Sequence, residues 1–129
     1  MYKGTVGIML FVRDVERSVR FYRDVMGFDF KGYWDDKSRR TVMEYVEAGS
    51  PGYAEVTILG CGIGLHLARA EQAIGGGAQH HLSVEDAATA HAHLTRAGAK
   101  ATEPKRQEWG ATMFEVTDPD GHVWNVLGP

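Results

Sequence analysis

The sequence predicts an α+β fold made of two related βαβββ halves. Three observations predict it. An internal repeat spans the chain, each copy carries the same order of strand and capped helix, and the composition suits a single domain. Shifting the chain by 72 positions lays Met9-Leu10-Phe11-Val12-Arg13-Asp14 on His81-Leu82-Ser83-Val84-Glu85-Asp86. At 129 residues and 43% hydrophobic content, one domain (1–129) with modules 1–72 and 78–129 has enough apolar material for a core.

The elements follow in order. Asp14 caps a helix whose apolar residues Val15, Val19, Tyr22 and Met26 recur at helical spacing, and Gly27 stops it. Asp86 opens the matching helix, with Ala87, Ala90, His91, Leu94 and Ala97 before Gly98. Each helix returns into strand-like sequence, Phe28 to Trp34 and Ala99 to Trp109. In the first half Ala54 to Leu59 then leads through a turn at Gly60-Cys61-Gly62 into Ile63 to Ala68. In the second, Ala111 to Thr117 leads through Asp118-Pro119-Asp120-Gly121 into Val123 to Leu127, and Asp-Pro-Asp-Gly is turn chemistry. The closing strands match at a shift of 59, which lays Leu65-His66-Leu67 on Trp124-Asn125-Val126. The first half's longer connection, 35–53, contains a segment 38–48 with two readings. It is either a short helix capped by Ser38 with Val42, Met43 and Val46 on one side, or an irregular loop. The glycine-rich run 73–77 reads as a linker, and lacks the Lys-Ser or Lys-Thr of a phosphate loop.

Charge and composition exclude several functions. A net charge of −3 with both signs interspersed gives no footprint for nucleic acid or an anionic membrane. The longest apolar runs, such as Gly7 to Val12, are too short to span a bilayer, and the first residues show no signal-peptide pattern. With Cys61 as the sole cysteine no internal disulfide forms, so a cytoplasmic location is expected. No base stands beside Cys61 in the sequence to activate it, and it reads as an inert turn thiol.

Three segments carry a family resemblance. They are Val12-Arg13-Asp14 with Ser18, Phe21-Tyr22 and Met26-Gly27-Phe28; then Glu103-Pro104 through Trp109-Gly110; then Asp118-Pro119-Asp120-Gly121-His122-Val123-Trp124. In that order and spacing they resemble the vicinal-oxygen-chelate superfamily of glyoxalases, extradiol dioxygenases and fosfomycin- and bleomycin-resistance proteins. The resemblance covers the whole chain and implies that each half curls its mixed sheet around a cleft. It also implies a divalent-metal position on the first and last strand of each half in the enzymes. Carried over through the repeat, these four positions are Gly7, His66, Gln79 and Asn125.

Those residues make a poor metal site. Gly7 has no side chain, Asn125 is a weak neutral donor, and no carboxylate is among them. A displaced set of His66, Gln79 and His81, with charge from Glu55 or Glu115, is the other arrangement available. The alternative places His66 and His81 as pocket residues that hydrogen-bond a ligand. His91 and His93 fall on different faces of a helix, and His80 and His122 read as surface or turn residues. Strand alternation aims Met9, Phe11, His66, Gln79, His81, Ser83 and Asn125 into the cleft, with no acidic residue among them. Tyr33, Trp34 and Trp109 sit where rings close its mouth or cover core edges.

Three functions follow. The first is a metal-free protein that binds a hydrophobic or aromatic compound, as bleomycin-resistance members do, working as a homodimer without a cofactor. The second is a metal-dependent lyase or dioxygenase with an atypical site. The third is a metal-free enzyme with His66 or His81 as general base.

Overall fold

The computed structural model describes Met1, residues 7–45, 51–69, Ile74 and 78–129. The chain divides into two compact units, Met1–Ile74 and Gly75–Pro129, each with its own open mixed sheet.

In the first unit, strand β1 (Ile8–Val12) leads into helix α1 (Val15–Arg20), which continues as a π-helical turn over Phe21–Val25. Strands β2 (Asp29–Asp35), β3 (Arg40–Val42), β4 (Tyr53–Ile58) and β5 (Cys61–Leu67) follow, arranged β1-β5-β4-β2-β3. Among the described residues of this unit the only parallel pair is β1 with β5, as a βαβ return requires. The second unit repeats this plan. It has β6 (Gln79–Ser83), helix α2 (Ala87–Arg96), two short strands β7 (Lys100–Ala101) and β8 (Lys105–Arg106), then β9 (Thr112–Thr117) and β10 (Val123–Gly128). Its sheet runs β6-β10-β9-β7, with β8 also paired to β9 and β6 parallel to β10.

The same local chemistry builds both copies. Asp14 accepts the Arg17 N–H at 3.0 Å, and Asp86 accepts the Thr89 N–H at 2.8 Å, so each helix begins on an aspartate cap. Both helices give way to a glycine with left-handed backbone, Gly27 (φ 75°) and Gly98 (φ 98°). Alternation then sorts each sheet into two faces. Leu10, Val12, Ala54, Val56, Ile63 and Leu65 are buried in the first unit, and Phe114, Val116, Trp124 and Val126 in the second.

Three expectations are corrected. Residues 38–42 form neither a helix nor an irregular loop but the turn and second strand of a hairpin between β2 and β3, residues 43–45 carry no helix or strand, and 46–48 lie outside the described residues. The Asp35 carboxylate accepts the N–H groups of Lys37 and Ser38, and Arg39 closes the turn at φ 56°, which a helix does not tolerate. The β4–β5 turn is Leu59-Gly60, so Cys61 opens a strand instead of sitting in the turn. The strand-like stretch Ala99–Trp109 is broken into β7 and β8, with a turn over residues 108–109. The proposed linker 73–77 falls, apart from Ile74, outside the described residues.

Candidate functional site

The pairing register arranges one sheet face of the first unit in successive rungs. Phe11 lies opposite His66 and His66 opposite Tyr53; Met9 lies opposite Gly64 and Gly64 opposite Glu55. The first rung is aromatic. The His66 ring meets Phe11 edge-on at 5.6 Å and Tyr53 at 6.2 Å between centroids. His66 Nδ1 donates to the Leu67 carbonyl at 2.8 Å, which orients the ring and turns Nε2 away from that contact. Beyond it, Gly7, Gly62 and Gly64 floor a cavity of about 360 Å³ walled by Met9, Tyr53 and Glu55. A Cβ on Gly64 would stand 2.9 Å from the Tyr53 hydroxyl and 3.0 Å from the Met9 sulfur, so the bare backbone is what makes room for these walls.

On the second unit the corresponding rung is His81, Asn125 and Glu115. Asn125 is buried, at 3% exposure. Its Nδ2 donates to Gln79 Oε1 at 3.0 Å and lies 3.3 Å from His81 Nε2, which engages both amide protons. Its Oδ1 is buried with no hydrogen-bond partner among the described residues. Ser83 and Trp109 line a separate cavity of about 560 Å³ with Arg106 and Leu127, and Trp109 is 66% exposed.

The register also corrects the repeat. Met9 faces Gly64 where His81 faces Asn125. A shift of 72 on the opening strands therefore goes with 61 on the closing ones, the separation of Gly64 and Asn125, and not with 59. The two-residue β4–β5 turn against the five-residue β9–β10 connection, 118–122, accounts for the difficulty of matching them by eye. His66 lies opposite Phe11, four residues from Gly7 along the strand direction, or roughly 13 Å. The first unit thus does not bring Gly7 and His66 together, whereas the second unit joins Gln79 to Asn125.

The donors present do not fit a divalent metal. Gly7 and Gly64 offer no side chain, and the amides of Gln79 and Asn125 are hydrogen-bonded to each other. Among the described residues no three His, Cys, Asp or Glu side chains converge as a metal site requires.

Other predicted residues have local roles. Trp34 donates from Nε1 to Asp36 at 2.9 Å, and Tyr33 packs edge-on against Phe30 at 4.9 Å. His91 packs edge-on against Phe114 at 5.1 Å while His93 is exposed, so the two do lie on different helix faces. His122 does lie in the turn connection between β9 and β10 but is buried, and His80 is a half-buried strand residue of β6. The Asp118 carboxylate accepts the N–H groups of Asp120 and His122, which turns His122 inward to 8% exposure. His80 packs at a tilt against Trp124, 4.8 Å between ring centroids, and burial, reinforced by the neighbouring His122, lowers its pKa below the ordinary 6.5. Unfolding therefore takes up a proton at His80 as pH falls through about 6.5, and the folded state loses stability there. His80→Gln is expected to flatten the fall in Tm between pH 7.5 and 5.5; an unchanged pH slope would remove His80 as its source.

The order of elements, the capped helices and the parallel β1–β5 and β6–β10 pairs are those of one fold family. The family model for the glyoxalase/bleomycin resistance protein/dioxygenase superfamily matches residues 5–126. The chain belongs to this superfamily. Solved structures similar to it include a superfamily member from Sphaerobacter thermophilus DSM 20745, at 20% identity over 99% of this chain and 98% of that one, with a TM-score of 0.73. TioX from Micromonospora sp. ML1 is similar at 20% identity over 98% of both chains, with a TM-score of 0.70. A glyoxalase-related enzyme from Fulvimarina pelagi matches at 19% identity over 99% of this chain and 89% of that one, with a TM-score of 0.71. No curated protein matches the chain. At these identities the superfamily neighbours establish the fold alone.

Sequence reasoning missed Tyr53, Gly62 and Gly64 as lining residues, and named Glu55 only as a source of charge. The signal was present in Gly62-Ile63-Gly64-Leu65-His66, where small residues occupy one face and apolar residues the other. The sequence reading placed no acidic residue in the pocket, whereas Glu55 is part of the wall of the first unit's cavity.

Proposed function

We propose that the protein binds a small hydrophobic or aromatic compound on the open faces of its sheets, without a metal. The observation that carries this reading is Asn125: a buried neutral carboxamide, held by Gln79 and His81, with an acceptor oxygen left over. A buried amide of this kind recognises a ligand by hydrogen bonding, where a metal-dependent relative needs a charged or imidazole donor. The glycine floor and aromatic rung of the first unit add the apolar, concave surface typical of small-molecule sites. The family's frequent dimers make a homodimer part of the same proposal.

The test joins metal analysis to ligand screening. Purified, dialysed protein should carry far less than one equivalent of metal, and added Zn²⁺, Ni²⁺, Mn²⁺ or Fe²⁺ should leave Tm unchanged. A panel of flat bicyclic and tricyclic compounds should contain members that raise Tm saturably, by an amount equivalent to about 2.7 kcal/mol at a hundredfold excess over Kd. Stoichiometric metal that survives dialysis and disappears in His66→Ala would overturn the reading, as would a panel with no binder.

A further inference from the structure

We infer that the first unit's cavity selects organic cations, with Glu55 as their counter-charge. The inference rests on the small-molecule-binding reading and narrows its ligand to a flat aromatic group bearing a quaternary or protonated nitrogen. Three observations converge on it. Among the described residues Glu55 is the only charged side chain in the lining, it is half-buried, and it has no ion-pair or hydrogen-bond partner. The remaining walls suit a flat cation. Tyr53 presents an aromatic ring, and Met9 a polarisable sulfur directly above Gly64. Gly7, Gly62 and Gly64 add no side chains to the lining, and it is the bare backbone at Gly64 that lets the Tyr53 and Met9 side chains close over it.

Electrostatics point the same way. The Tyr53 phenol is pushed above its ordinary pKa of 10, first by burial and then by the negative charge of Glu55. The cavity thus already disfavours a second negative charge, and a carboxylate or phosphate ligand would meet the same repulsion. A cation gains what an anion loses. A cavity of about 360 Å³ lies at the small end of ligand sites, which span roughly 300–1,000 Å³ and accommodate fused-ring compounds. One carboxylate without histidine neighbours is a weak site for a bare divalent ion, so the cation in question is organic.

The experiment compares two probes of nearly equal shape, 1-methylquinolinium and neutral quinoline, by calorimetric titration of the full-length protein near neutral pH. The cation should bind about tenfold more tightly than quinoline, and its affinity should fall as sodium chloride is raised while that of quinoline holds. In Glu55→Gln the preference should vanish, with quinoline affinity unchanged. Should that variant not fold, the salt dependence of the wild-type protein decides alone. Equal binding of both probes, or a preference that persists in Glu55→Gln, would overturn the cation inference and leave the small-molecule reading intact. Binding of neither probe, when other panel compounds bind, also overturns it. A panel with no binder at all overturns both.

Discussion

Trp124→Ala is expected to cost about 3–5 kcal/mol, a large part of the roughly 5–15 kcal/mol that holds a domain folded. Among the described residues Trp124 is the largest fully buried side chain, paired with His80 on one side and Val116 on the other in the second sheet. Its removal opens a void on the face of a sheet whose three strands are fixed by their ladders, so little collapse fills it. Urea unfolding should show a strongly lowered midpoint with little change in slope. A second readout separates this from a general loosening. His80 owes its lowered pKa first to burial, and Trp124 covers its ring, so the variant should also lose much of its sensitivity to mild acid. Trp109→Ala is the control. That side chain is 66% exposed, and its loss should change stability by less than about 0.5 kcal/mol.

Most of the fold was legible because it is written in local chemistry. Asp14 and Asp86 cap, Gly27 and Gly98 terminate, and the apolar periods between them are helical. The strands flanking the helices and closing each sheet were legible to within a residue or two for the same reason, while the stretch Ala99–Trp109 was read as more continuous than it is. The hairpin of β2 and β3 was not, because its decisive contacts are the Asp35 carboxylate on backbone N–H groups and a left-handed Arg39, neither of which leaves a periodic trace. Val42 and Met43 satisfy a helical spacing by coincidence. Val42 instead pairs with Tyr33 in the sheet.

The candidate site was legible by face but not by register. Alternation correctly told which residues share a side, since Met9, Phe11 and His66 do lie on one face. Which rung each occupies depends on turn length, and a shift of two residues keeps the face while moving the partner. That is how His66 was matched to Asn125 when Gly64 holds the corresponding position. Glycines compounded the difficulty, because a cavity floor is made of absent side chains. The carboxylates behave differently. Glu55 opposite Gly64 and Glu115 opposite Asn125 occupy equivalent positions, so the repeat preserves an acid on each sheet. Beside a glycine the acid borders a cavity, and beside a buried amide it flanks a hydrogen-bond network. The two units therefore share one backbone plan and differ in the side chains their faces present.

Gly32→Ala is the other substitution with a large expected effect, about 3 kcal/mol, because two independent penalties coincide there. The first is conformational. Gly32 sits at φ 127°, in a region that side chains rarely adopt, where the register between β2 and β4 shifts across Phe30 and Gly32. The second is steric. An added Cβ would overlap the Thr41 Cγ2 methyl and stand 3.0 Å from the Val42 carbonyl, pressing β3 off the sheet edge. The penalties separate in a double-mutant cycle. Thr41→Ser removes that methyl while keeping the hydroxyl, so Gly32→Ala in that background should cost about 1 kcal/mol less than in the wild type. The remainder is the backbone's share. It should persist whatever stands at position 41, since the bulge that requires it is set by the pairing of β2 with β4. A cycle with no coupling would place the whole cost in the backbone. Full recovery in the Thr41→Ser background would place it all in the contact with β3.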